Sequence, residues 1–242
     1  MNRPACPLPV SLASPRRMQR GESAGRRALI LANGHPPTKR LVKTLKNMSA
    51  IFVCADGGAN AAARMSLTPD LIIGDLDSIA HETKKKFSRV QTKHIAEQNS
   101  TDLEKAIRWL LQRGYREIVV AGALGGRPDH LLGNFSALVK FSGRASIRFV
   151  DDREEVCSVG KQFAATLNVG ETISLLPLNR CEGITTKGFK WDLKNQVLEL
   201  GYRESTSNVA VANVATIRVR KGDLLLYRRI GKSNATYSAA RK

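Results

Sequence analysis

The sequence predicts an α/β fold: an N-terminal doubly wound, mostly parallel sheet domain, followed by a smaller all-β sandwich domain. Three observations carry this. Over residues 28–150, apolar runs ending at Gly or Asp alternate with helical patterns. After about residue 152 the helical patterns stop. Several of the segments beyond alternate apolar and polar residues with period two, as half-buried strands do. The predicted parts are a basic segment at 1–27, expected to be disordered, an α/β domain at 28–152, a β-sandwich domain at 153–230 and a basic tail at 231–242.

Taken in order, ALILANG from Ala28 reads as a buried strand closed by a turn at Gly34. Residues 38–48 place Leu41, Leu45 and Met48 at helical spacing. AIFVCADGGAN and PDLIIGDLDS are apolar runs that stop at Asp-Gly or Gly-Asp, the pattern of parallel strands covered on both faces. Asn99 to Arg113 is the clearest helix. Ser100 or Thr101 can cap it, Glu104 fits a capping box, and Leu103, Ile107, Leu110 and Leu111 form its stripe. EIVVAGALGG is another buried strand, HLLGNFSALVKF a helix, and ASIRFVDD closes the alternation. ETISLLPL, QVLELGY, VATIRVRKG and DLLLYRRI are short strands separated by Gly and Asn.

The 242 residues are enough for one large domain or two small ones, and 42% hydrophobic with 25% charged residues is ordinary for a globular chain. No stretch approaches the roughly 18 uncharged apolar residues of a membrane span. Cys6, Cys54, Cys157 and Cys181 form no CxxC pair, which argues against a thiolate zinc site and a dense disulfide framework. A reducing compartment fits, and the expected location is cytoplasmic. Residues 1–27 are Arg-rich and acid-poor, so import into an organelle stays open. The net charge is +18, with +5 in residues 1–27 and +5 in 228–242. Basic ends can bind nucleic acid, but solvated tails have the same composition, and no RNA-binding aromatic signature accompanies them.

The α/β half carries acids at its strand ends: Asp56, Asp75 and Asp77, then Asp102 at a helix start and Asp129 in a loop. Ligands of open α/β sheets bind at that edge. Asp75 and Asp77 are two apart. In an extended chain they would face one way, about 6–7 Å apart at the α-carbons. Carboxylates converging without cations repel, so such a set points to a hard divalent ion such as Mg2+. A single Asp after a strand can equally cap a turn. Five such acids along the α/β half argue for a shared role. Glycines at Gly57-Gly58, Gly74 and Gly122 through Gly126 can let backbone N–H groups approach phosphates, with Gly57 and Gly126 the expected contacts. Neither GxxxxGK[ST] nor a GxGxxG after the first strand occurs. Arg127 in GGRPDH is a phosphate-clamp candidate. In the β half, Trp191 sits in a polar, turn-like context, where it either stacks on a ligand or fills a small core. Ser205, Thr206, Ser207 and Asn208 offer neutral hydrogen-bond groups that read ring nitrogens or form a turn.

ADGGAN at 55–60, PDLIIGDLDS at 69–78, STDLEKA at 100–106, GGRPDH at 125–130, GFKW at 188–191 and STSN at 205–208 together resemble the thiamine pyrophosphokinase family, over residues 28 to 230. The resemblance implies transfer of the pyrophosphoryl group of ATP to the hydroxyethyl oxygen of thiamine, giving thiamine diphosphate and AMP. It implies an α/β catalytic domain, a β-sandwich domain and a homodimer whose active sites are shared between subunits. It assigns Asp56, Asp75, Asp77 and Asp102 to magnesium and the ATP phosphates, and Gln98, Arg127 and Asp129 to the neighbourhood of nucleotide and substrate. Trp191, Ser205, Ser207 and Asn208 take the thiamine side, with Trp191 reaching the partner's site. Asp129 or Asp102 is the expected proton acceptor. Leu124 stands where a Thr is common in this family, and Asn99-Ser100 where charge is more usual. The rivals are a diphosphokinase acting on a pterin alcohol and a non-catalytic basic nucleic-acid-binding protein.

Overall fold

The computed structural model describes residues 26–230. The expectations for a disordered N-terminal segment and a basic C-terminal tail therefore fall almost wholly outside the described residues. The first strand starts at Arg27, whose guanidinium pairs with Glu117 at 2.6 Å. The chain divides into two compact units between Asp152 and Arg153.

The first unit alternates strand and helix throughout. It runs β1 (Arg27–Leu31), α1 (Lys39–Asn47), β2 (Ile51–Ala55), α2 (Gly58–Arg64), β3 (Leu71–Gly74), α3 (His81–Lys86), β4 (Gln91–His94), α4 (Asp102–Gln112), β5 (Glu117–Ala121), α5 (Pro128–Phe141) and β6 (Ser146–Val150). Its strands lie in the order β6-β5-β1-β2-β3-β4, and every pairing is parallel. The chain steps outward from β1 to β4, then returns to the other side of β1 as β5. The order thus reverses between β1 and β5, where open α/β sheets form their ligand crevice.

Both faces of this sheet are covered, which is why its central strands read as unbroken apolar runs. Leu29, Leu31, Phe52, Cys54 and Ile72 share one cluster with Leu41, Val42 and Leu45 of α1 and with the alanines of α2. The intervening Ile30, Val53, Ile73 and Val120 are buried too. α4 packs across β1, β2 and β3 and against α5. Each buried Leu, Ile or Phe removes enough apolar surface to contribute about 1.5–3 kcal/mol. α4 starts as its sequence predicts, with Thr101 accepting from the Glu104 N–H. The capping box does not close, because the Glu104 carboxylate is drawn to Arg108 at 2.9 Å and Lys140 at 2.6 Å.

The second unit contains β7 (Glu154–Ser158), β8 (Gln162–Thr166), β9 (Thr172–Pro177), β10 (Cys181–Lys187), β11 (Gln196–Leu198), β12 (Ser205–Val209), β13 (Val214–Arg218) and β14 (Leu224–Arg229). They form two antiparallel layers, β12-β9-β14-β7 and β11-β10-β13-β8. Phe163, Ile184, Leu198 and Ile217 from one layer meet Cys157, Ile173, Leu175 and Leu226 from the other in a single core. This is a sandwich, as expected. Beyond the apolar core residues of β14, Arg228 is buried and bonds Glu171 at 2.7 Å, with Glu155 at 3.5 Å. No helix among the described residues is long and apolar enough to cross a membrane.

Candidate active site

The first unit gathers its acids at the carboxyl edge of β2 and β3 and at the start of α4. Asp56 follows β2 directly, and its backbone has φ 41, a left-handed conformation that Asp tolerates better than most side chains. Asp75 follows Gly74 at the end of β3, and Asp102 is the first residue of α4. One carboxylate oxygen from each of Asp56, Asp75 and Asp102 lies within 4.8 Å of the others. Gly74 makes the convergence possible. A Cβ there would come within 2.9 Å of both Asp102 Oδ1 and the Asp56 Cβ.

The electrostatics of this cluster ask for a cation. Asp56 is 3% exposed, and its Oδ1 has no hydrogen-bond partner. Burial pushes the Asp56 carboxyl above the usual carboxylate range, and the charges of Asp102 and Asp75 push the same way. Hydrogen bonds from Ser78 and the Gly57 backbone offset only part of this. Desolvation acts upward on Asp75 as well. There the Asp77 backbone N–H, the Gln98 amide and the Lys105 charge outweigh it and hold Asp75 below its ordinary value. A buried acid with an unpartnered carboxylate oxygen, gathered with two other acids, fits a hard divalent ion with oxygen ligands.

Asp77 stands apart from this trio. The extended geometry expected for Asp75 and Asp77 does not form, because Leu76 adopts φ 65 and the segment turns. The Asp77 backbone N–H donates to Asp75 Oδ1 at 3.3 Å, while its own carboxylate accepts from the Ser78 hydroxyl at 2.9 Å. Gln98 reaches the trio, with Nε2 donating to Asp75 Oδ2 at 3.4 Å. Asn60 pins the loop beyond from α2, donating to the Ser78 carbonyl at 2.8 Å and accepting from the Ala80 N–H at 3.0 Å.

At the β1/β5 reversal the backbones run close together. The Gly34 N–H donates to the Gly122 carbonyl at 2.8 Å, and a Cβ on Gly34 would collide with that oxygen. Gly57 caps α2 with the Asn33 amide packed against it, and Gly126 lies beside Gly34 and His35. Arg127 precedes α5 and grips Asp129 with two bonds, at 3.1 Å and 2.6 Å. That pairing holds the exposed Asp129 carboxyl down at about 2. Leu124 is buried, and the Ser100 hydroxyl donates to Glu97.

In the second unit, Trp191, Leu193, Arg203, Glu204, Ser205, Thr206 and Asn208 line a recess of about 250 Å3. Trp191 is 56% exposed, which decides between its two readings: it is not core. Asn208 fixes it, with Oδ1 accepting from the Trp191 N–H and Nδ2 donating to its carbonyl. The Lys190 ammonium lies 4.7 Å from the ring centroid. Ser207 does not line the recess. It sits at φ 57 where the β12–β9 register slips, with its N–H held by the Ser174 hydroxyl. Sequence reasoning missed Arg203, Glu204 and Leu193 here, and Asn33, Asn60 and Lys105 in the first unit. STDLEKA contains Lys105 three residues after Asp102, and that spacing on a helix was the available signal.

Residues 42–150 match the family described as Thiamin pyrophosphokinase, catalytic domain, and residues 162–224 match Thiamin pyrophosphokinase, vitamin B1 binding domain. Thiamine pyrophosphokinase 1 of Oryza sativa subsp. japonica is 30% identical over 253 residues, covering 91% of this chain and 92% of that protein. The chain belongs to the thiamine pyrophosphokinase family. Thiamine pyrophosphokinase of Bacillus subtilis (strain 168) is 28% identical, over 74% of this chain and 86% of its own. The solved thiamin pyrophosphokinase of Candida albicans matches with a TM-score of 0.78 at 20% identity, over 86% of this chain and 90% of that one, a likeness of fold. Family membership removes support from the pterin and nucleic-acid alternatives.

Proposed function

We propose that this chain transfers the pyrophosphoryl group of ATP to the hydroxyethyl oxygen of thiamine, releasing AMP and thiamine diphosphate. Membership of the thiamine pyrophosphokinase family supports the reaction. The observation that carries the chemistry is the trio Asp56, Asp75 and Asp102, in which Asp56 is buried and leaves its Oδ1 unpartnered. These three would hold Mg2+, with Asp77 and Gln98 beside them. When bound, the ion would neutralise polyphosphate charge as the β-phosphorus is attacked.

The remaining work falls to the chain itself. Glycine-lined backbone at the β1/β5 reversal offers N–H groups to phosphate oxygens. Arg127 would exchange Asp129 for a phosphate, a trade of one charge-assisted pair for another. Asp129, once released by Arg127, or Asp102 would accept the proton of the thiamine hydroxyl. The recess in the second unit suits a flat cationic heterocycle: Trp191 offers a ring face, and Ser205, Thr206 and Asn208 offer hydrogen-bond groups.

A homodimer with shared sites fits the exposure of Leu200, Tyr202 and Val214 together with Trp191. The buried cysteines Cys54, Cys157 and Cys181 suit a reducing, cytoplasmic setting. The test is to incubate the pure protein with ATP, Mg2+ and thiamine and identify the products. AMP with thiamine diphosphate is expected. ADP with thiamine monophosphate would overturn the pyrophosphoryl reading.

A further inference from the structure

Lys105 is the unexplained residue of the first unit. It lies one turn into α4 and is 3% exposed, a depth that lysine reaches almost only when paired. Its ammonium sits 3.0 Å from Asp102 Oδ1, the oxygen that also stands over Gly74. Its neighbour Glu104 is not its partner, because that carboxylate is committed to Arg108 and Lys140. Lys105 also acts on Asp75, whose ionised form it favours. A fixed positive charge is thus built into a trio of carboxylates that, all ionised, would carry three negative charges.

We propose that Lys105 is an internal counter-cation: its ammonium competes with a free divalent ion for Asp102, so that the ion enters with the nucleotide phosphates rather than ahead of them. The inference rests on the metal role given to the trio. A bare divalent ion entering the trio must approach the ammonium and share Asp102 with it, and like charges at that range repel. A polyphosphate brings its own negative charge, offsets the ammonium and supplies oxygen ligands of the kind Mg2+ prefers to share with carboxylates. Lys105 therefore acts through Asp102 as a positioning residue.

The experiment titrates the full chain with Mn2+ at pH 8 without nucleotide, following free Mn2+ by electron paramagnetic resonance. Lys105→Gln removes the charge and keeps an N–H group that can donate to Asp102. It should bind Mn2+ roughly tenfold tighter than the native chain, the effect of removing one unit charge a few ångströms away at water-like screening. Lys105→Arg, which keeps the charge, should stay within about twofold of native. When Mn2+ is titrated together with α,β-methylene-ATP, the advantage of Lys105→Gln should disappear. Should Lys105→Gln not fold, Lys105→Met and Lys105→Arg carry the same comparison. An unchanged or weaker Mn2+ constant in the uncharged variant, with native binding intact, overturns the proposal alone. An advantage that persists with the nucleotide analogue overturns the ordered entry. No Mn2+ binding by the native chain in either titration would strike the metal reading and this proposal together.

Discussion

Replacing Asp56 by Asn tests the acid trio without touching its shape. Asn tolerates the left-handed conformation at φ 41, so the backbone has no reason to move. The substitution removes one charge from three facing carboxylates and relieves a carboxylate that is 3% exposed with an unpartnered Oδ1. An unsatisfied buried polar atom costs about 1–3 kcal/mol, and more when charged. Asn leaves part of that cost in place, so a gain of about 1–2 kcal/mol is expected in EDTA. For a chain of this size that is about 2–8 °C in melting temperature. The pH dependence has a definite sign. The folded state raises the Asp56 carboxyl above its unfolded value of 3.8. The native chain therefore keeps full stability from this group below 3.8 and loses it as pH rises through the folded value. The advantage of Asp56→Asn should vanish in acid and grow as the pH rises above 3.8. Magnesium should reverse the order. At a hundredfold excess over its dissociation constant the ion would stabilise the native chain by about 2.7 kcal/mol, and a variant lacking one ligand gains less. Calorimetry in EDTA and in Mg2+ reads both effects. A lower melting temperature for Asp56→Asn in EDTA, or an equal response of the two proteins to magnesium, would refute the reasoning.

Gly74→Ala should cost about 1–3 kcal/mol by overpacking and weaken Mn2+ binding at least tenfold, because its Cβ would fall 2.9 Å from Asp102 Oδ1 and from the Asp56 Cβ; near-native binding would show that the cluster can open. Arg127→Ala should return the Asp129 carboxyl from about 2 to the ordinary carboxylate range in an NMR titration, with the fold unchanged. In the native chain, the stability that Asp129 contributes should be present above pH 3.8 and lost as the pH falls toward 2. If the dimer shares its sites, Asp102→Asn and Trp191→Ala should each be inactive or weak alone. Mixed after reversible dissociation, they should recover about one quarter of native activity, as twofold counting requires; no recovery with exchange shown by mass would place each site within one subunit.

Much of this architecture is written in local pattern. Buried parallel strands must be apolar on both faces, so β1, β2, β3 and β5 stand out as runs, and the acids that end them are visible in the same reading. β4 leaves no such trace. It is an exposed edge strand of sequence QTKH, and its identity comes from pairing with β3. α2 and α3 are short, and the small buried side chains of GANAAAR give no stripe to count. The Asp75–Asp77 geometry failed for a different reason. One residue, Leu76, flips the backbone, and nothing in a two-residue spacing encodes that flip. Lys105 was hidden because a lysine on an amphipathic helix ordinarily reads as solvated. Its burial follows from the packing of α4 across β1, β2 and β3, which local sequence cannot show.

The double hold of Asn60 on the Ser78 carbonyl and the Ala80 N–H gives the segment after β3 two unequal halves. Ala80 is tied to a helix whose alanines lie in the sheet core, whereas the Asp77 N–H is held by the neighbouring Asp75 carboxylate. The two amides are three residues apart and report on different events. Exchange of the Ala80 proton should follow opening of α2, and exchange of the Asp77 proton should follow the state of the carboxylate that accepts it. The loop is thus a natural pair of isotope clocks, one timing the scaffold and one timing the site, readable in a single spectrum.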